Sequence, residues 1–259
     1  LTPTQTALLS LGATLGVAAQ AAVLIPVVRA SGYRFRARFD WRGAGLGRAG
    51  SLASWTVGLV LVNQAAYVVI VRLLGTAGAL AQDQSAVAQG GLVTYQNAHL
   101  IFILPHSIIT VSLVTALLPR MSRAAAAEQW TTLAGYVAGG TRTAAAAIVP
   151  AAAALVVLGP PIAEVLFGYG AANDAAGSVA FLGRVVSIFA LGLLPFTVFY
   201  LVLRGWYALE ATRTAFWVTV VLNAVNLVLA YGLFRLSQDV LTDVNGVAAI
   251  AAAYVIAYW

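Results

Sequence analysis

Residues 29–48 read Arg29-Ala30-Ser31-Gly32-Tyr33-Arg34-Phe35-Arg36-Ala37-Arg38-Phe39-Asp40-Trp41-Arg42-Gly43-Ala44-Gly45-Leu46-Gly47-Arg48, with six arginines against one acid. This basic block lies between two uncharged windows, 1–28 and 49–71. Each is long enough to cross the hydrocarbon core, which needs a helix of about 20 apolar residues. Further uncharged windows follow at 84–119, 143–163, 185–203, 214–234 and 244–259. The charges between them alternate in kind. The gaps 119–142 and 203–213 carry Arg120, Arg123, Arg142, Arg204 and Arg213, whereas 75–91 and 168–178 carry only Asp83 and Asp174. In the last gap, 235–245, Arg235 stands against Asp239 and Asp243. Short arginine-rich loops stay in the cytoplasm. The basic gaps are therefore expected inside, the others outside, and the first helix runs inward. The pattern is that of a polytopic protein of the plasma (inner) membrane.

Composition supports this. The 259 residues are 61% hydrophobic and 8% charged, with mean hydropathy +0.91, outside the range of ordinary soluble domains. All 14 basic residues are arginine. The net charge of +6 is accounted for by loop retention and contact with anionic lipids, so no nucleic-acid partner is expected. With no cysteine, disulfides and thiolate metal sites are excluded. Gly45-Leu46-Gly47-Arg48-Ala49-Gly50 matches G-x-G-x-x-G, but a basic loop precedes it and no carboxylate follows near position 70, so a dinucleotide site is not expected. No catalytic constellation is visible, and we expect neither an enzyme nor a cofactor.

All-α architecture is expected, because membrane-spanning helices satisfy their own backbone. Seven helices are placed at roughly 7–28, 50–74, 92–118, 144–167, 179–202, 214–235 and 246–259. Segment 29–48, rich in aromatics and arginine, suits an interfacial stretch. Pro119–Leu133 is a candidate second surface helix, and 75–91 an external loop. Pro105, Pro150 and Pro195 lie inside helices and should kink or break them. Leu1 in place of methionine, and an apolar run still open at Trp259, lead us to expect an internal piece of a longer chain.

Polar groups at membrane depth must find partners or line water. The candidates are Asn63 and Gln64 in the second helix, and Gln96, Asn97, His99, His106, Ser107, Thr110 and Ser112 in the third. Asn223 and Asn226 share a face of the sixth, suited to bonding a neighbouring helix. His99 and His106 are two turns apart, about 10 Å, too far to share a metal whose ligands sit at about 2 Å. Arg72, Glu164 and Arg184 lie near external helix ends. Either they snorkel to the interface, or the arginines line a cavity, where a guanidinium fork suits phosphate.

Several strings together resemble one family. They are Leu104-Pro105-His106-Ser107-Ile108-Ile109-Thr110-Val111-Ser112-Leu113, then Thr115, then Leu118-Pro119-Arg120-Met121-Ser122-Arg123. With them go Arg204-Gly205-Trp206-Tyr207-Ala208-Leu209-Glu210-Ala211-Thr212-Arg213-Thr214, Leu166-Phe167-Gly168-Tyr169-Gly170, and Val62-Asn63-Gln64. These are similar to motifs of the MurJ (MviN) family of lipid II flippases, in the multidrug/oligosaccharidyl-lipid/polysaccharide exporter superfamily. The lysine-free, alanine-rich style resembles actinobacterial sequences. The resemblance implies a two-lobed, fourteen-helix transporter of which this chain is roughly half. Residues 1–28 would be the last helix of the first lobe, 29–48 a cytoplasmic linker and 49–259 second-lobe helices. It implies alternating access and lipid II as partner, alongside membrane lipids and the remaining helices of the same chain. Lipid II is an undecaprenyl-pyrophosphate bearing a disaccharide-pentapeptide. Expected substrate contacts are Arg72, Arg184, Asn63, Gln64, Asn97, His99, His106 and Ser107. Motif positions are Pro105, Pro119, Arg123, Arg204, Tyr207, Thr212 and Arg213. An exporter of another polyprenyl-linked glycan, or a membrane scaffold recruiting wall-synthesis proteins, stays open as an alternative. The chain departs from the pattern in three places. Tyr95-Gln96-Asn97-Ala98-His99-Leu100 stands where many relatives have Y-A-x-R-L, Ala215 replaces the proline of T-R-T-P, and Tyr67–Val71 lacks the acid of sodium-binding relatives.

Overall fold

The computed structural model describes residues 3–32, 46–84, 91–169, 177–239 and 245–259. It separates into two units, residues 1–46 and 47–259, each taken by itself. The described residues of the first unit form α1 (Pro3–Ala30) and a turn at Ser31 and Gly32. The second unit is built on α2 (Leu46–Gln84), α3 (Leu92–His106), a π-helical turn (Ser107–Val111) and α4 (Ser112–Ala126). There follow α5 (Trp130–Phe167), α6 (Ser178–Ala190), α7 (Leu193–Ala208), α8 (Thr212–Asp239) and α9 (Gly246–Tyr258). No strand occurs among the described residues.

Among the described residues, four stretches are long and apolar enough to cross a membrane: Gly50–Leu80, Leu92–Ala126, Trp130–Phe167 and Thr212–Asp239. The bent pair α6–α7 makes a fifth if counted as one span, and Thr14–Ala30 and Gly246–Tyr258 are shorter apolar helices. Outward-facing valines such as Val157, Val165 and Val228 are about three-quarters exposed, as a helix facing lipid tails requires.

The core of the second unit is apolar and closely packed. Leu74, Phe102, Ile148, Val185, Val186, Phe189, Leu193, Val247 and Ile250 are fully enclosed. The tightest contact is between α5 and α6. A Cβ on Gly183 would collide with the backbone of Pro160, and one on Gly159 with Ser187 and the Gly183 carbonyl. Close approach through small residues is the usual way helices associate in lipid, where no hydrophobic drive exists between them.

Several sequence expectations change. The helix placed at 144–167 begins at Trp130. Pro119–Leu133 is not one surface helix: Pro119–Ala126 continues α4, and the chain turns through Glu128 at φ 55°. The stretch 75–84, read as loop, is the last part of α2. Around Pro105 the span does not break; the irregularity appears two residues later as the π-turn. There Ser112 Oγ donates to the Ile108 carbonyl (2.6 Å) and Thr115 Oγ1 to that of Val111 (2.8 Å). The helix also runs on through Pro150. The break near Pro195 lies upstream, at Leu191–Gly192, where α6 and α7 meet at 49°. Pro195 itself sits in the first turn of α7, where its missing N–H is not needed. Of the interfacial segment expected at 29–48, Arg29 and Ala30 end α1 and Leu46–Arg48 begin α2, while 33–45 lies outside the described residues.

Candidate substrate cavity

Four helices of the second unit line an open cavity of about 270 Å³. From α2 come Asn63, Ala66, Tyr67 and Ile70, spaced i, i+3, i+4, i+7 so that one face turns inward. Helix α3 contributes Tyr95, Gln96 and His99, α8 contributes Leu222, Asn223 and Asn226, and α9 contributes Tyr254 and Tyr258. The same periodicity puts each set on one stripe of its helix.

The polar groups are tied to one another across helices. Asn223 Nδ2 donates to Asn63 Oδ1 (3.0 Å) and to the Thr219 carbonyl (2.9 Å). Asn63 Nδ2 donates to the Leu59 carbonyl (3.1 Å), which fixes the amide orientation. Gln96 Nε2 donates to the Tyr67 hydroxyl at 2.8 Å. Asn226 is buried and its Oδ1 has no partner. Around these amides stand aromatic rings. His99 meets Phe189 and Tyr254 edge-on, both at 5.6 Å, and Tyr254 lies 4.9 Å from Tyr258. Among the described residues, neither a carboxylate nor an arginine lines the cavity. That donor set does not match the acid-bearing sodium site of the relatives noted above.

A second polar cluster lies at the π-turn. His106, 3% exposed, shares a hydrogen bond between Nδ1 and Thr197 Oγ1 (3.1 Å), with Phe196 and Tyr200 edge-on at 4.7 and 4.8 Å. Arg204 Nη2 donates to the Tyr200 hydroxyl (2.6 Å). Its guanidinium carbon stands 4.5 Å from the Tyr200 ring centre and 5.6 Å from that of Tyr207, with Nε buried and unpartnered. These ring contacts hold a cation against aromatic faces.

Of the residues singled out from sequence, Asn63, Gln96, His99, Asn223 and Asn226 line the cavity. His106 belongs to the second cluster, while Gln64 and Ser107 are exposed and, like the half-buried Asn97, stand outside the cavity lining. Arg72 is exposed, as is Arg184, whose guanidinium lies 5.7 Å from the Phe181 ring centre. Neither lines the cavity. Among the motif positions, Arg123 Nε donates to the Pro119 carbonyl (3.2 Å), Thr212 opens α8, and Arg213 lies 5.7 Å over Trp55. Ala215, in place of the motif proline, is fully buried and its N–H donates to the Ala211 carbonyl (3.2 Å), a bond proline would forfeit. Tyr67, Tyr95, Tyr254 and Tyr258 escaped sequence reasoning, although the i, i+4 pair Tyr254–Tyr258 in an apolar run was a usable signal.

A profile of the family described as "Lipid II flippase MurJ" matches residues 1–259, the whole chain. The chain belongs to the MurJ family. It is also 28% identical over 150 residues to a "Probable lipid II flippase MurJ" of Rhizobium meliloti. That alignment covers 58% of this chain and 28% of the Rhizobium protein, so the chain spans well under two thirds of that MurJ relative. No solved structure matches.

Proposed function

We propose that the protein carrying these helices moves lipid II from the inner to the outer leaflet of the cytoplasmic membrane by alternating access. Family membership supports the transport reading. The observation that carries it at residue level is the polar cavity among membrane-spanning helices. Hydrogen-bonding groups in oil cost free energy unless they are paired or face a polar occupant. A lobe that keeps three asparagines, a glutamine and four tyrosines around one space is organised to receive something polar. The hydrocarbon core opposes passage of a pyrophosphate-linked glycan, and a polar path between two lobes removes that barrier while the prenyl tail stays in lipid. Rocking of one lobe against the other then exchanges access between the two faces. No bond is made or broken.

In this reading Asn63 and His99 contact the headgroup, while Arg72 and Arg184 attract its phosphates on the outer side. The basic gaps face the cytoplasm, with 29–48 as the linker between lobes. The full-length protein, expressed in cells depleted of their own lipid II flippase, should restore growth. Failure to restore growth at normal membrane levels would count against the reading.

A further inference from the structure

We infer that the cavity between α2, α3, α8 and α9 is a subsite for an uncharged sugar ring, and that this cavity takes the glycan part of the substrate and not the pyrophosphate. The inference rests on the transport reading above and specifies which chemical portion of the substrate the cavity takes.

The lining excludes one class of occupant and fits another. A phosphate group calls for arginine, lysine or clustered backbone N–H donors, and among the described residues no arginine lines this space. A bound cation would call for carboxylates, also absent from the lining. What remains is neutral and two-way. The amides of Asn63, Gln96, Asn223 and Asn226 each offer donors and an acceptor, and the hydroxyls of Tyr67, Tyr95, Tyr254 and Tyr258 offer both. Sugar hydroxyls need such partners, because each both donates and accepts. The apolar face of a pyranose needs an aromatic wall, which Tyr254, Tyr258 and His99 supply.

Two further observations support a ligand. Asn226, 7% exposed, brings an Oδ1 that no protein group satisfies. An unpaired acceptor of this kind is costly to keep, and turning the amide toward a hydroxyl in the cavity satisfies it. The size also fits: about 270 Å³ lies just below the ~300 Å³ at which ordinary small-molecule sites begin. That is room for one ring.

The test uses the full-length protein in lipid nanodiscs. Saturation-transfer NMR with N-acetylglucosamine as the probe reads binding, and inorganic pyrophosphate serves as competitor. The expected result is sugar binding that Asn226→Leu weakens at least tenfold, with unchanged thermal stability and no displacement by pyrophosphate. Gln96→Ala, at an exposed position, should weaken binding as well and guards against misfolding of the first variant. Wild-type sugar binding in both variants would overturn the subsite, as would pyrophosphate displacing the sugar. Lipid II movement by the same samples separates the two ideas. Movement intact with no sugar binding sinks only the subsite; sugar binding with no movement sinks only the transport reading.

Discussion

Replacing Gly183 with alanine should loosen the joint between α5 and α6. The added Cβ would stand 2.8 Å from Pro160 N and 2.9 Å from the Gly159 carbonyl oxygen, and closer still to Pro160 Cα. Ordinary contact begins near 3.4 Å, so two helix backbones must part by roughly half an ångström or more. Backbone cannot rotate away as a side chain does, and overpacking of this kind costs about 1–3 kcal/mol. Against it stands the gain of about 1 kcal/mol that alanine offers over glycine inside a helix. Gly135, in the first turns of α5, supplies the control: a Cβ there meets nothing within 4 Å. Thermal unfolding of the full-length protein in detergent should therefore rank Gly183→Ala below wild type and Gly135→Ala at or above it. If Gly183→Ala proved as stable as Gly135→Ala, the close backbone contact at Pro160 would be refuted.

The bond between Asn63 and Asn223 (3.0 Å) should show a coupling of about 0.6 kcal/mol in a double-mutant cycle with alanine, the usual size for polar pairs between membrane helices; zero coupling would remove the bond. Single cysteines at Gly43 and Gln84, in an otherwise cysteine-free full-length protein, should label from opposite sides with an impermeant thiol reagent. Labelling of both from outside would reverse the charge argument. For Arg72 and Arg184, alanine should abolish lipid II externalisation at one site at least, and lysine should give partial loss because it lacks the planar fork. Full activity of both alanine variants would leave these arginines as interfacial anchors.

The uncharged windows located the long apolar helices well and their ends poorly, for a physical reason. Helix α5 has 38 residues, about 57 Å at 1.5 Å per residue, nearly twice the ~30 Å hydrocarbon core. Its first turns hold Thr131, Thr132 and Arg142, polar residues that read equally well as loop or as helix standing in water. Gln82 and Asp83 misled in the same way at the end of α2. Pro195 marked the right helix but not the break, since proline is harmless in a first turn and the chain bends before it. The cavity was legible only in fragments. Asn63, Gln96 and His99 stood out as polar residues at depth, and Asn223 and Asn226 as a face suited to a neighbouring helix, but which helices meet depends on packing between residues more than 100 positions apart. Tyr254 and Tyr258 read as ordinary apolar-run aromatics until that packing set them beside His99.

The central claim is movement of lipid II across the membrane, and its most direct measurement is outer-leaflet exposure. Cells depleted of their own flippase and expressing the full-length protein should be probed with an external enzyme that cleaves lipid II only in the outer leaflet. The account predicts cleavage restored to the level of undepleted cells, falling when Asn63 and His99 are both replaced by alanine at equal protein levels. Lipid II that stays protected from the enzyme, with the protein present and folded in the membrane, would contradict it.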